Sequence, residues 1–264
     1  MQPVVLVSGV LGGIGGAVRE HFLQAGWQVF GTDLDGAALA ALQTDGRLAG
    51  QHAADLRQAR ASREVVARVL DGLGRLDALV NCAGVWREGP AETFSEEDFD
   101  LVLDVNLKAS FFLCAAAIPA LRDTRGAIVN LSSDAGRQGN RNAAVYCASK
   151  GAVTLMTKAL ALDLAPSGVR CNSISPGDVA TPMLSFQAER YGDGDPAAYL
   201  QELLEKYPQG EQARFIQPEE VAELAFFLCQ PAARSITGAD LAIDCGGGGG
   251  GGRGRAAPPP PPPP

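Results

Sequence analysis

The chain has 264 residues, of which 46% are hydrophobic, and its formal net charge is −8 at pH 7 with a pI of about 4.8. This length allows one large α/β domain or two small ones, and the acidic balance argues against a general nucleic-acid binder. The apolar start is too short for a signal sequence, and no apolar run approaches the ~18 residues of a membrane span. We therefore expect a soluble, cytoplasmic protein with no membrane or nucleic-acid partner.

Seven apolar runs predict β-strands, at 4–8, 28–32, 48–53, 78–81, 127–131, 170–174 and 241–243. Most of the segments between them have helical periodicity. Continuous apolar strands indicate a parallel sheet that is buried on both faces. Alternation of strands and helices indicates a doubly wound α/β fold. No linker interrupts residues 1–245, so we predict a single domain there.

A glycine-rich loop, VSGVLGGIGG at 7–16, follows the first strand. It does not fit the GxGxxG fingerprint, because Val18 stands where the third glycine would fall. Its spacing is instead Gly9-x-x-x-Gly13-x-Gly15. A buried strand before it and an amphipathic helix after it favour a phosphate-binding loop at a helix N-terminus. A purely structural turn is the alternative.

Asp33 ends the second strand, eighteen residues after Gly15. A carboxylate there can accept hydrogen bonds from the adenosine ribose hydroxyls and would repel the 2′-phosphate of NADP. No Lys or Arg lies in the loop or directly beside Asp33, so NAD is favoured. The alternative is an ordinary strand-end aspartate that starts a turn.

Two helix starts are well marked. Ser95 precedes a run of acids and is predicted to be an N-cap, with Phe94 and Phe99 spaced as a hydrophobic staple. Pro218, followed by two glutamates, is predicted to lie in the first turn of another helix.

Tyr146 and Lys150, four residues apart in a helical pattern, are candidates for proton transfer. A nearby ammonium, or the positive nicotinamide ring of NAD⁺, would lower the pKa of the phenol. Ser133 ends the fifth strand, so it would face the same crevice as the glycine loop and donate to a substrate oxygen. Asn106 lies mid-helix, where it either holds a water near Lys150 or merely bends the helix. A surface Tyr–Lys pair is the alternative for the helix motif.

The segment 178–214 is rich in Gly, Pro and Asp and is long for a connection, so we predict a substrate-binding lid. Its candidate substrate contacts are Met183, Leu184, Phe186, Tyr191, Tyr199 and Tyr207, with the cations Arg190, Lys206 and Arg214; packing or solvent exposure is the alternative for many of them. The Gly- and Pro-rich tail at 246–264 is predicted to be disordered, either a passive extension or a ligand for a proline-recognition groove. The six cysteines form no CxxC pair, so we interpret them as reduced thiols rather than disulfides or a zinc site.

Taken together, these motifs resemble those of the short-chain dehydrogenase/reductase family in its compact, single-domain branch. The matching segments, in chain order, are SGVLGGIG at 8–15, NCAG at 81–84, Asn106, Ser133, YCASK at 146–150 and PGDVATPM at 176–183. Ser8, Cys82 and Cys245 depart from the usual family residues, but none of these departures touches Asn106, Ser133, Tyr146 or Lys150.

The resemblance implies a Rossmann fold with a seven-stranded parallel sheet and assembly as a homotetramer or homodimer. It implies a catalytic tetrad of Asn106, Ser133, Tyr146 and Lys150, with Tyr146 as general acid/base and Lys150 also binding the nicotinamide ribose. The cofactor contacts implied by the resemblance and by the residues are Gly9, Leu11, Gly12, Gly13, Ile14, Gly15, Asp33, Leu34, Asp55, Leu56, Asn81, Ala83, Gly84, Tyr146, Lys150, Pro176, Gly177, Val179 and Thr181.

The expected activity is NAD-dependent hydride transfer between nicotinamide and a small-molecule secondary alcohol or ketone. Two alternatives remain: an NAD-binding regulatory protein without useful turnover, and an epimerase or dehydratase that recycles bound NAD.

Overall fold

The computed structural model describes residues 2–247, so most of the predicted tail, from residue 248 onward, lies outside the described residues. The strands are β1 Val4–Ser8, β2 Gln28–Asp33, β3 Gly50–Ala53, β4 Ala78–Asn81, β5 Ala127–Leu131, β6 Arg170–Pro176 and β7 Asp240–Ile243. They form one parallel sheet in the order β3-β2-β1-β4-β5-β6-β7. The predicted seven-stranded, doubly wound parallel fold is confirmed.

The strand ends differ slightly from the sequence expectation. β3 begins at Gly50 rather than residue 48, while β2 continues to Asp33 and β6 to Pro176. Every residue of the central strands β1, β4 and β5 is buried, because helices cover both faces of the sheet. Strand order reverses between β1 and β4, which opens a crevice at their carboxyl ends.

The α-helices of residues 2–247 are α1 Gly13–Gln24, α2 Gly36–Thr44, α3 Ala59–Leu73, α4 Glu96–Leu103, α5 Ala109–Thr124, α6 Ala144–Leu164, α7 Pro182–Tyr191, α8 Pro196–Leu204 and α9 Pro218–Cys229. On one face α1 packs against α9, where the Phe22 ring lies 5.1 Å from the rings of both Trp27 and Phe226. On the other face α3 packs against α5 over Leu113 and Leu121. Each face thus has its own apolar core.

Both predicted helix starts are confirmed. The hydroxyl of Ser95 accepts a hydrogen bond from the N–H of Asp98 at 3.1 Å. Pro218 occupies the first turn of α9, and the Glu220 carboxylate accepts from the N–H of Gln217 at 2.8 Å. Each side chain satisfies a backbone group that the helix leaves unpaired.

α4 and α5 form one continuous helix, Glu96–Thr124, joined by a π-helical turn at Asp104–Lys108. An 18-residue window of this helix has a mean hydropathy of 1.8. By length and composition alone the helix could span a membrane, so the expectation that no apolar run approaches that length was wrong. Its apolar residues include Leu113 and Leu121, which belong to the core against α3. Such a helix is also what the core of a water-soluble α/β protein requires, and it is weak evidence for a membrane span.

Candidate active site

The glycine loop between β1 and α1 folds back on itself. Gly9 has a φ of +64°, and a Cβ there would lie 2.8 Å from the backbone of Ala83 at the end of β4. A Cβ on Gly15 would overlap the carbonyl oxygen of Gly9. These two glycines are therefore required by backbone packing between β1, β4 and α1.

The N-terminus of α1 is open towards the crevice. Its N-cap is Gly12, which supplies no side-chain acceptor to the first turn. The N–H groups at the start of a helix have no partner within the helix and attract anionic groups such as phosphates. The loop thus has the form that a dinucleotide pyrophosphate needs.

Asp33 lies beside this loop at the end of β2. One carboxylate oxygen accepts a hydrogen bond from the N–H of Leu11 at 3.0 Å, and the other accepts from the N–H of Leu34 at 2.8 Å. Both oxygens are oriented by backbone, so the carboxylate is held at the wall of the crevice. Arg57 lines the same crevice, where it forms an ion pair with Asp55 at 2.7 Å.

The crevice is a cleft of about 570 Å³ at the carboxyl ends of the strands. The predicted cofactor residues that line it are Gly9, Leu11, Gly12, Gly13, Ile14, Gly15, Asp33, Leu34, Asp55, Leu56, Ala83, Gly84 and Thr181. A smaller cavity of about 110 Å³ is lined by Ser133, Tyr146, Lys150, Pro176, Gly177 and Val179. Ile14, Gly84 and Thr181 line both, so the two spaces are continuous.

Asn81 is placed differently from the sequence expectation. Its side chain is 2% exposed, accepts from the Ser8 hydroxyl at 3.5 Å and donates to the Asn130 amide oxygen at 2.8 Å. Within residues 2–247 it lines neither of these two cavities. It ties the ends of β1, β4 and β5 together and so positions the crevice, while its contact with a cofactor stays a prediction.

Tyr146 and Lys150 lie on the buried face of α6, 7% and 4% exposed, with the Lys150 Nζ 5.8 Å from the centre of the tyrosine ring. Lys150 Nζ donates to the carbonyl of Leu131 at 2.8 Å, at the end of β5. The alternative of a surface Tyr–Lys pair is therefore wrong.

Burial has the largest effect on the pKa values of both Tyr146 and Lys150. It raises the pKa of Tyr146 well above its ordinary value, although the neighbouring Ser133 hydroxyl acts in the opposite direction. Burial lowers the pKa of Lys150 to about 8, against a smaller opposing effect of Cys82. The lowered tyrosine pKa expected from the sequence is therefore not produced by these side chains alone.

Asn106 lies in the π-helical turn and is 1% exposed. Its amide oxygen accepts from the N–H of Val85 at 2.8 Å, and its nitrogen donates to the Val85 carbonyl at 3.0 Å and the Ser149 hydroxyl at 3.1 Å. The side chain therefore joins the helix to the segment after β4 and to α6. The π turn aims it inward, as such turns often do at functional sites.

Ser133 stands at the end of β5, where its hydroxyl donates to the carboxylate of Asp134 at 2.9 Å and accepts from the N–H of Ala135 at 3.2 Å. Trp86 covers Tyr146, with ring centres 4.3 Å apart. Asp134 and Trp86 both line the cavity that contains Tyr146, although no sequence motif singled them out.

The predicted lid at 178–214 contains α7, α8 and a 3₁₀ turn at Gly210–Gln212. The Tyr207 hydroxyl accepts from the N–H of Asp178 at 2.7 Å and donates to its carboxylate at 3.1 Å, so the lid is fastened to the end of β6. Burial, together with the Asp134 charge, raises the pKa of Asp178 to about 6. Arg214 pairs with Glu220 instead, outside the cavities described here.

The other predicted substrate contacts of the lid lie at different cavities or on the surface. Met183 lines both the cleft and the small cavity, and Leu184 lines the small cavity. Tyr191, Tyr199, Lys206 and Tyr207 line a further cavity next to Tyr146. Phe186 is 38% exposed and packs with Arg190, whose guanidinium lies 5.9 Å from its ring centre.

The cysteines form neither disulfides nor a metal site among the described residues. All six cysteines are free. Across residues 2–247 there is no group of three or more His, Cys, Asp or Glu side chains placed to hold a metal.

Comparison with known proteins gives consistent matches over nearly the whole chain. Residues 9–247 match a family model described as enoyl-(acyl carrier protein) reductase. The chain is 40% identical to L-fucose dehydrogenase of Mus musculus, over 92% of this chain and 87% of that protein. It is 37% identical to D-threitol dehydrogenase of Mycolicibacterium smegmatis, over 92% of each.

A solved structure also matches this chain over nearly its whole length. A variant of actinorhodin polyketide ketoreductase, determined with NADPH, superposes with a TM-score of 0.86 at 31% identity, covering 94% of this chain and 97% of that one. The likeness therefore extends over both the cleft and the lid rather than over the cofactor half alone.

Proposed function

The chain belongs to the short-chain dehydrogenase/reductase family, and from that premise we propose that it is an NAD-dependent oxidoreductase that interconverts a secondary alcohol and a ketone. The observation that carries the proposal is the junction of two spaces. The cavity containing Ser133, Tyr146 and Lys150 opens into the cleft of the glycine loop. A substrate carbon and a nicotinamide would thus meet where the acid/base group lies.

NAD is proposed rather than NADP because of Asp33. Its carboxylate is held at the cleft wall by the N–H groups of Leu11 and Leu34, where it can accept from ribose hydroxyls and would repel a 2′-phosphate. Arg57 is the cation that lines the same cleft, but its charge is already paired with Asp55. The bound NADPH of the ketoreductase structure is a property of that protein and makes this choice worth testing.

The fit of the dinucleotide to the cleft rests on the open first turn of α1 and on Gly84. A Cβ on Gly84 would lie 3.4 Å from the Asn106 oxygen and 3.5 Å from Lys150 Nζ. Because Gly84 has no side chain, it leaves space between the cleft and the side chain of Lys150. The remaining contacts proposed for the nicotinamide end are Pro176, Gly177, Val179 and Thr181.

When bound, NAD⁺ supplies the acceptor of the hydride. In the proposed mechanism Ser133 holds the substrate oxygen, and the deprotonated hydroxyl of Tyr146 takes the alcohol proton. Because burial opposes the phenolate, the nearby Lys150 ammonium is needed to stabilise it. Asn106 fixes Val85 and Ser149 around these groups, and we propose that it supports the proton path from Lys150.

The supporting experiment is a screen of secondary alcohols with NAD⁺ and with NADP⁺, followed by absorbance of the reduced nicotinamide. We expect net NADH release with at least one alcohol and a lower rate with NADP⁺. An epimerase that recycles its cofactor would convert substrate without net NADH release, and a regulatory protein would bind NADH without turnover. A faster rate with NADP⁺ would contradict the role given to Asp33.

We also propose that the protein self-associates as a dimer or tetramer and works in the cytoplasm. Phe111 on α5 and Leu155 and Leu162 on α6 are 42%, 69% and 78% exposed, and such large apolar side chains are the candidates for burial between subunits. Six free thiols suit a reducing compartment. Light scattering of the purified protein at micromolar concentration would reveal the assembly, and a strictly monomeric mass would contradict it.

A further inference from the structure

A third cavity, of about 690 Å³, lies on the side of Tyr146 away from the glycine loop. It shares Trp86, Asp134, Asn140, Asp178 and Gln187 with the small cavity that contains Tyr146 and Ser133. A molecule reacting at Tyr146 would therefore extend into this third space. We call it the substrate cavity.

Carboxylates dominate the charge of the substrate cavity. Glu88, Asp134 and Asp178 line it, and burial raises the pKa of each of the three. Lys206 on the lid and Arg141 are the cations among its described lining residues. A substrate carrying a carboxylate or phosphate would add negative charge to a partly buried acidic wall, which is unfavourable.

Asp134 has the most direct position. Its carboxylate accepts from the Ser133 hydroxyl at 2.9 Å, so it lies beside the place where the substrate oxygen would bind. A hydroxyl on the carbon next to the reacting carbon would come within reach of that carboxylate. Glu88 lies further out and accepts from the Trp86 indole N–H at 2.8 Å and the Tyr199 hydroxyl at 3.5 Å.

The other lining residues of the substrate cavity can contact the C–H groups and further hydroxyls of a molecule with several hydroxyl groups. Trp86, Tyr191 and Tyr199 offer aromatic rings to C–H groups, while Asn140 and Gln187 offer amides that both donate and accept. Charged acceptors, amides and aromatic rings together recognise many hydroxyl groups on a short carbon frame. A simple apolar alcohol would cover these carboxylates and amides with C–H groups without offering them a further donor.

Resting on the proposed oxidoreductase function, we propose that the substrate is a polyhydroxylated compound, an alditol or aldose, whose hydroxyl adjacent to the reacting carbon donates to Asp134 and whose more distant hydroxyl donates to Glu88. Oxidation breaks the C–H and O–H bonds of one carbinol. The hydride passes to NAD⁺, the proton passes to Tyr146, and a hydroxyketone or lactone remains.

The test compares four substrate classes with NAD⁺ and the wild-type protein. These are a panel of four- to six-carbon alditols and aldoses, monohydroxy alcohols such as 2-butanol and cyclohexanol, the anion 3-hydroxybutyrate and the cation 1-amino-2-propanol. We expect kcat/KM for the best polyol to exceed that of the monohydroxy alcohols and of the anion by about 10- to 100-fold, because the former offer too few donors to the carboxylates and the latter is repelled by them. The cation tests whether the acidic wall selects hydroxyl groups or positive charge, and we expect the polyol to be the faster substrate.

Three variants locate the effect. Asp134→Ala and Glu88→Gln should each lower the ratio of polyol to monohydroxy kcat/KM by about tenfold, through KM more than kcat. The control is Asp193→Asn, an exposed lid residue outside the cavity with a φ of +49°, which Asn accommodates. That control should leave the ratio unchanged.

A binding readout separates this inference from the proposed function. Ligand-observed NMR of the NADH-loaded protein should detect polyols but not 2-butanol at equal concentration. Faster turnover of a monohydroxy, anionic or cationic substrate would overturn the polyol assignment and leave the oxidoreductase proposal intact. Polyol binding without any turnover would support the cavity assignment and contradict the oxidoreductase. If polyols neither bind nor turn over, the inference is overturned.

Discussion

The two spaces on either side of the small cavity that contains Tyr146 are built in different ways. The cofactor cleft is made by the carboxyl ends of β1, β2 and β4 and by the start of α1, so its glycine-loop wall is backbone held by the sheet. The substrate cavity is made by side chains of the segment after β4, the segment after β5, the end of β6 and the lid. A backbone site presents fixed N–H groups to one cofactor, whereas a side-chain site can change its ligand through a few substitutions.

Among changes that distinguish the cofactor cleft from the substrate cavity, the largest effect is expected in the cleft. Asp33→Ala should lower the NAD⁺ to NADP⁺ ratio of kcat/KM by about 10- to 100-fold, because it removes an acceptor for the ribose hydroxyls and a repulsive charge. Steady-state kinetics with both cofactors give the ratio. Asp35→Asn, which preserves the N-cap position of α2, is the matched control, and an unchanged ratio in Asp33→Ala would refute the cofactor assignment.

A smaller effect is expected at the lid. Tyr207→Phe removes the hydroxyl that accepts from the Asp178 N–H and donates to its carboxylate. We expect the substrate KM to rise about threefold to tenfold, corresponding to a lost hydrogen bond of about 1 kcal/mol, with the KM for NAD⁺ unchanged. Equal increases in both KM values would show that the contact between Tyr207 and Asp178 supports cofactor binding as well and would contradict this prediction.

The smallest effect concerns Asp178 and pH. Its pKa is raised from 3.8 to about 6 by burial and by Asp134, with Tyr207 and Lys206 opposing the shift. A raised carboxyl pKa stabilises the folded state at low pH, and this contribution is lost as the pH rises through the folded pKa. Asp178→Asn should therefore raise the Tm by about 2–4 °C at pH 8 and by little at pH 4.

Thermal melts of both proteins across that range measure the difference. A gain that is larger at pH 4 than at pH 8 would mean that the carboxylate is not destabilised by burial. The contrast with Asp33, whose carboxylate is held by two backbone N–H groups, is that Asp178 faces another acid.

The cofactor cleft could be predicted from the sequence because its signals are local. Gly9, Gly15 and Asp33 follow strands at fixed spacings, and Tyr146 and Lys150 share one helix face. The sheet followed from the same strand pattern, apart from strand ends that depend on neighbouring strands, as at Gly50.

The rest depends on contacts between distant segments. The π turn around Asn106 is fixed by Val85 and Ser149, which lie 21 and 43 residues away. Tyr199 reaches Glu88 across 111 residues, and no spacing rule links them. Asn81 shows the reverse case: its motif was recognisable, but only the packing of β4 against β5 showed that its side chain faces Asn130 rather than the cleft.

Tyr146→Phe is the most direct test of whether Tyr146 transfers the proton in an NAD-dependent oxidation. This variant is to be assayed for NADH formation with the best alcohol and for NADH binding, with Tyr191→Phe, which keeps the ring that lines the substrate cavity, as the matched control. We expect Tyr146→Phe to lose about 10³-fold or more in kcat while its NADH affinity stays within a few-fold of wild type. Turnover by Tyr146→Phe at near the wild-type rate would refute the assignment of Tyr146 as the proton-transfer group.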